Sequence, residues 1–279
     1  GIDILSSSNL YHSSYTGAEE TSAVLDTFFA QPTSSAIFER NSQRVFSQEI
    51  RLSSARRDRT LDWLIGGFIE RQSTKRFVDW TVPGFAPYAG DDLLYLENSS
   101  RENDQNALFG EVTLRPAKTL SVTAGLRYFY FSSDGIRAGD GVFNGGPSYR
   151  GSDPSSASGT SKKFNISWEP NPDHLAYALY SEGFRPGFAR SNLPTVCVDD
   201  ARELGIDPAA SQVNPDRVKS YEIGAKNRLF NRSLTLNVSA YHIKWSGIQL
   251  GVFLPCGFTF ASNAGDAEIN GLEIETETR

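Results

Sequence analysis

Apolar and polar residues alternate most cleanly between positions 120 and 130. Leu120, Val122, Ala124, Leu126, Tyr128 and Tyr130 fall on one face of an extended chain, and Ser121, Thr123, Gly125 and Arg127 fall on the other. The period is two, not 3.6. Just before it, residues 108–115 read as a second strand, broken by Pro116, Ala117 and Lys118, so the pair predicts a hairpin. A strand of this length exceeds the usual globular strand of about five or six residues and suits a tilted bilayer crossing, which takes about 9 to 11. One hairpin alone suits a soluble β-sandwich equally well.

The rest of the chain repeats the pattern. Strands are predicted over residues 2–15, 45–53, 61–82, 164–169, 174–184, 218–230, 234–250 and 267–278, making about ten with the hairpin. In 45–53, Phe46, Ile50 and Leu52 oppose Ser47, Glu49 and Arg51, with Gln48 out of place. Gly66 and Gly67 would weaken a soluble strand but suit a crowded or bent wall. Asn231 and Arg232 read as a two-residue turn. Connections alternate between short turns near 55, 116, 170 and 231 and long segments near 13, 83, 135, 188 and 251. An up-and-down array with this alternation gathers its long loops at one rim, as outer-membrane barrels do. Glu111, Arg127, Glu222, Lys226, Glu273 and Glu275 all lie opposite the apolar stripe, where a water-filled or plugged interior can hydrate them. The fold class is therefore all-β, an antiparallel up-and-down transmembrane β-barrel, open or incomplete at about ten strands.

Composition narrows the function classes. The 279 residues suffice for one large β domain, and their mean hydropathy of −0.37 leaves no run near the ~20 apolar residues of a spanning helix. Alternation hides an apolar face from that average. A net charge of −6 argues against nucleic acid as a partner. The chain contains no Met and opens on Gly1, which reads as an internal piece of a longer polypeptide. Cys197 and Cys256 have no metal-ligand spacing, so no metal site and no cofactor is expected. His12, His174 and His242 have no catalytic partner at a recognisable spacing; His174 reads as a solvated turn residue and His242 as part of an interfacial girdle.

Several segments resemble the barrel of a TonB-dependent outer-membrane receptor: FSQEIRL at 46–52, WLIGGF at 63–68, FGEVTLRPAKTLSVTAGLR at 109–127, YALYSEGFRPGF at 177–188, VKSYEIGAK at 218–226 and NAGDAEINGLE at 263–273. The resemblance implies a 22-strand barrel filled by an N-terminal plug, sited in the bacterial outer membrane. It also implies uptake of scarce nutrients such as ferric siderophores or cobalamin, energised through TonB. On that reading residues 1–279 form a partial barrel domain without the plug or the closing C-terminal strand. Its partners are outer-membrane lipid, the TonB complex through the plug region, and a metal chelate or similar small nutrient. It is not an enzyme. The rival reading is a self-contained ten-strand barrel acting as a passive channel or surface hydrolase.

Candidate ligand contacts come from loops that combine aromatic and cationic groups, which suit an anionic, aryl-bearing ferric chelate: Phe85, Tyr88 and Tyr95; Arg185, Phe188 and Arg190; Phe253 and Phe258. Ordinary loop packing is the plainer alternative for each, and Arg185-Pro186-Gly187 also reads as a strand exit. Cys197 and Cys256 fall in neighbouring long connections at an oxidising surface and are a candidate disulfide; two separate thiols are the alternative.

Overall fold

The computed structural model describes residues 1–278 apart from 32, 56–59, 151–153, 191–192, 194–196, 211 and 257–258. Ten long strands build one antiparallel sheet in strict sequence order. They are β1 (Ile2–Glu20), β2 (Ala36–Ser54), β3 (Leu61–Thr81), β4 (Leu93–Ala117), β5 (Leu120–Asp140), β6 (Ser155–Asn171), β7 (His174–Arg185), β8 (Asp216–Leu229), β9 (Leu234–Ser246) and β10 (Ala267–Thr278). A short strand, Ser148–Arg150, adds to the end of β5. The sheet is not closed, because the path starts at β1 and ends at β10 without pairing them. A barrel of ten strands closed on itself is therefore not what this chain forms. In lipid each outer edge needs a partner for its backbone groups.

Period-two alternation sorts the side chains as the sequence predicts. Leu108, Val112, Leu126, Tyr128, Tyr221, Ile223, Leu272 and Ile274 stand exposed on one face. Glu111, Arg127, Glu222, Lys226, Glu273 and Glu275 share the other, since Glu111 lies opposite Gly125, and Glu222 opposite Tyr241 in a register that runs on to Glu273 and Glu275. On that polar face Lys163 Nζ donates to Glu111 Oε2 at 2.8 Å, and the Arg127 guanidinium lies 5.3 Å from the Phe68 ring centre. The three histidines point the other way and contact amide or backbone oxygen: His12 with Gln43 O, His174 with Asn227 Oδ1 and His242 with Asn270 Oδ1. His174 occupies the first position of β7 rather than the turn.

The alternation of connections also holds: 55–60, 118–119, 172–173 and 230–233 lie at one rim, and 21–35, 82–92, 141–154, 186–215 and 247–266 at the other. Strand lengths differ from expectation at the long-loop rim. β4 begins at Leu93 and β5 continues to Asp140, and their ladder runs unbroken to Leu96 opposite Asp140. Residues such as Asn98 to Asp104 are polar on both faces, which erases hydrophobic alternation while leaving the backbone free to pair. For the same reason β1 reaches Glu20, so the first long connection lies at 21–35 and not near 13; it contains a helix, Ser22–Phe29, that the periodicity did not signal. The turn after β8 has four residues, not two, with Phe230, Asn231 and Arg232 all left-handed. Arg232 Nε donates to Asp173 Oδ1 at 2.7 Å, which ties this turn to its neighbour. β9 stops at Ser246, where Gly247 takes a φ of 64° and the chain leaves for a separate hairpin, Gln249–Phe253 with Thr259–Asn263.

Glycines in the wall have a specific purpose. On the polar face, Phe109 faces Gly66 across the ladder, Tyr177 faces Gly224, and Tyr241 faces Gly271. Each ring lies where a Cβ would be, the nearest ring atoms falling 2.5 Å from an ideal Cβ at Gly66, 2.6 Å at Gly224 and 2.2 Å at Gly271. Removing the side chain lets the aromatic neighbour lie flat on the backbone, a recognised way of compensating a strand glycine. Gly66 is also hemmed in by the Ile50 carbonyl, 2.8 Å from an ideal Cβ, whereas Gly67 meets nothing nearer than Leu108 Cδ2 at 3.7 Å. Gly66→Ala is therefore expected to lower unfolding free energy by about 1–3 kcal/mol through overpacking. Gly67→Ala should stay within about 0.5 kcal/mol. Urea unfolding of the two variants in lipid vesicles, compared side by side, checks the contrast.

Candidate functional site

The long connections condense into two lobes above the wall. The first joins 21–35, 82–92 and 141–147 through a hydrophobic cluster of Leu25, Trp80, Val82, Phe85, Leu94 and Phe143. Trp80 stacks on Phe143 at 5.3 Å, and Phe29 meets Phe85 edge-on at 5.2 Å. Asp92 fastens the 82–92 segment by accepting from the backbone N–H of Gly84 at 3.0 Å and of Ala86 at 2.7 Å. Those two donors hold its carboxyl below the ordinary carboxylate value.

The second lobe joins 186–215 and 247–266. Cys197 and Cys256 are bonded to one another, with Cα atoms 5.3 Å apart, and pack with Ala201, Ile206, Leu254 and Phe260. Asp216, 1% exposed, is its anchor on the wall. It accepts from Arg185 Nε at 2.8 Å, Trp245 Nε1 at 3.0 Å and the Arg185 backbone at 3.1 Å, and also pairs with Arg185 Nη2. The Arg185 guanidinium sits 4.9 Å from the Trp245 ring centre. Gln249 Nε2 then donates to both Pro186 O and Asn214 O at 2.9 Å, which stitches the two connections together.

Between the wall and this second lobe lies a chamber of about 490 Å³. Gln72, Thr74 and Arg76 of β3, Glu97, Ser99, Arg101 and Asn103 of β4, and Arg137 of β5 line it from the wall; Phe188, Arg190, Thr259 and Phe260 line it from the lobe. The wall residues form a connected network. Arg137 Nη2 donates to the Tyr95 hydroxyl at 2.8 Å and pairs with Glu97 at 3.0 Å, and the Tyr95 hydroxyl donates to Glu97 Oε2 at 2.7 Å. Arg76 bridges Glu39 at 2.7 Å and Glu97 at 3.6 Å. Arg190 is buried at 6% exposure, its guanidinium 4.0 Å from the Phe260 ring centre and its Nη2 donating to Asp207 O at 2.5 Å. Burial pushes its pKa down and Asp207 opposes that. Glu97 is the only carboxylate among the described lining residues, against four arginines.

Of the residues singled out from the sequence, Phe188 and Arg190 line the chamber and Tyr95 supports it through Glu97 and Arg137. Phe85 is 1% exposed inside the first lobe, so its ring is a packing element and not a surface contact. Arg185 is committed to Asp216 at the strand exit. Tyr88 and Phe253 are exposed on the two lobes, away from the chamber lining. Phe258 lies outside the described residues. Arg76, Glu97, Arg101 and Arg137 were missed because they sit where strands continue beyond the apolar stripe; the alternation of Tyr95, Glu97, Ser99 and Arg101 was the available signal.

An up-and-down wall with an exposed apolar face, a charged inner face and all long loops at one rim defines an outer-membrane β-barrel wall. The chain belongs to the family described as TonB dependent receptor-like, beta-barrel, whose model matches residues 3–279. The family is one of transporters and receptors, and the protein is an outer-membrane protein. The fold is shared with the ferric yersiniabactin uptake receptor FyuA from Yersinia pestis (TM-score 0.74, 17% identity, 100% of this chain and 37% of that one). It is also shared with the copper transporter OprC (TM-score 0.69, 14% identity, 98% of this chain and 41% of that one). A third likeness is FpvA from P. aeruginosa in complex with a pyoverdine and iron (TM-score 0.58, 14% identity, 100% and 35%). The chain thus spans well under half the length of each.

Two outcomes follow for the lobes. Closing a loop across a sequence separation of 59 is worth about 4 kcal/mol, so reduction of Cys197–Cys256 should open 186–215 to protease while leaving the wall intact; mass spectrometry of unreduced peptides should find them linked, and two alkylatable thiols would contradict it. Because the Asp92 carboxyl is depressed, its hold on 82–92 is complete above the ordinary aspartate value of 3.8 and is lost as pH falls through the lower folded value. Pepsin cleavage in 82–92 should therefore rise steeply below pH 3.8, and an Asp92→Asn variant should flatten that dependence.

Proposed function

We propose that this wall belongs to a receptor for energised, TonB-dependent uptake of a scarce nutrient, and that the nutrient is an anionic ferric siderophore. The observation that carries the reading is the chamber, whose described lining holds Arg76, Arg101, Arg137 and Arg190 with Glu97, Arg76 being bridged outside the lining to Glu39, within a chain whose net charge is −6. A recess lined by more arginine than carboxylate, in a protein of net negative charge, favours an anion there over a cation. Its volume falls within the range of small-molecule sites, about 300–1,000 Å³. Phe188 and Phe260 add aromatic surface for an aryl-bearing chelate. Energy would pass from TonB through a plug domain seated against the charged inner face.

The test is transport of radio-iron bound to a panel of siderophores into cells that make the full-length protein as their sole such receptor. Uptake of at least one anionic chelate should be saturable and should vanish when TonB is deleted or the proton gradient is collapsed. Uptake that persists without TonB would favour a passive channel and defeat the proposal.

A further inference from the structure

The lipid face of β6 to β9 carries a recess and a charge pattern that the fold alone does not require. The recess, about 460 Å³, is apolar and open toward the membrane. It arises from side-chain size: Ala178 stands between Ile166 and Ile223 in one cross-strand row, and Ala240 between Ile223 and Leu272, so two short side chains leave hollows among long ones. One row nearer the long-loop rim, Tyr180, Tyr221 and His242 form a shelf over it, their ring centres 5.0 Å and 6.1 Å apart.

The side chains above that shelf are charged. Lys219 faces Glu182 on one side and Lys244 on the other, Lys162 lies two residues above Phe164, and Arg217 two residues above Lys219. The carboxylates among them are engaged: Glu182 accepts from the Tyr180 hydroxyl at 2.5 Å and the Lys162 backbone N–H at 3.2 Å, and Glu268 pairs with Lys244 at 3.2 Å. Lys162, Arg217 and Lys219 are exposed and reach no carboxylate within ion-pair distance among the described residues. Above their own apolar stretch, β4 and β5 instead present Glu102, Asp104 and Asp134 on this face, Asp104 being paired with Arg71. Positive charge is thus in excess over the recess and not along those neighbouring strands. With a rise of about 3.4 Å per residue, Lys219 stands about 7 Å above Tyr221. Long loops mark the extracellular rim, so these cations meet the headgroups of the outer leaflet.

We propose that this face holds one anionic lipid of the outer leaflet, an acyl chain lying in the recess over Ala178 and Ala240 and a phosphate headgroup taken by Lys162, Arg217 and Lys219. Charge complementarity selects the occupant, because a zwitterionic lipid would fill the recess but bring its own cation against these three. The site lies on the opposite face of the wall from the chamber and does not depend on which nutrient crosses.

Native mass spectrometry of the full-length protein in a neutral detergent tests it, with dimyristoyl phosphatidate, dimyristoyl phosphatidylcholine and inorganic phosphate as probes. One phosphatidate should be retained per protein, about tenfold more tightly than phosphatidylcholine, and inorganic phosphate should not displace it. Lys162→Gln combined with Lys219→Gln should cost about tenfold in phosphatidate affinity. Ala178→Phe, which fills the recess from an exposed position, should cost a similar factor through the chain alone. Lys75→Gln, on the same face of β3, should bind as the parent does. Equal retention of phosphatidylcholine, an unchanged phosphatidate affinity in the lysine pair or in Ala178→Phe, or an equal loss in Lys75→Gln overturns the proposal. Displacement of phosphatidate by inorganic phosphate would reduce the site to an ion contact without a chain and overturns it too. So does a dimer that Ala178→Phe abolishes, which would assign the face to a second copy of the protein. Should the variants fail to fold, the comparison of the two lipids on the unaltered protein still decides.

Discussion

A β wall in a bilayer stands or falls on its ladder of backbone hydrogen bonds, because hydrocarbon offers no substitute partner for an unmet N–H or C=O. Ten strands here satisfy that demand in strict sequence order, each with its neighbour. The requirement explains why the wall tolerates glycine so freely: pairing depends on the backbone, and a missing side chain costs nothing when a ring from the next strand covers the gap. Phe109 over Gly66, Tyr177 over Gly224 and Tyr241 over Gly271 are three instances of one solution. The rings then serve a second end, as surfaces for Arg127 and as a hydroxyl for Glu222.

The same ladder positions the chamber. Arg76, Glu97 and Arg137 come from three adjacent strands and meet because β3, β4 and β5 continue paired well beyond the apolar stripe. Their charges are anchored at both ends, Glu97 by a tyrosine, a serine and two arginines. The opposing half has a different basis, a loop pair held by one covalent link, a small apolar cluster and the Asp216 anchor. One side of the chamber is thus rigid by pairing and the other by packing.

How much of this the sequence showed depends on which force shaped each part. Where lipid faces a strand, as from Leu120 to Tyr130, apolar residues must recur every second position, and the wall, its order and its short-turn rim could be read directly. Above the lipid that pressure lapses, so β4 looked like loop up to about Ser100 and β5 from Asp134 onward, although their backbones stay paired. The chamber arginines lie in that silent zone. Phe85 and Arg185 drew attention by residue type, yet their surroundings place one in a core and the other in an ion pair, and side-chain type alone carries no trace of either. The turn at 230–233 was misjudged because its three left-handed residues include Phe230, which seldom adopts that geometry.

The disulfide-tied lobe leaves the wall after β7 and returns within the next two connections, with its own apolar cluster and its own staple. Such a unit behaves as a detachable cassette: substitutions inside it reshape one jaw of the chamber without disturbing a single rung of the ladder below. Selection for a new cargo can therefore act on a module of about fifty positions, 186–215 and 247–266, while the membrane-spanning framework stays under its own, unrelated constraint.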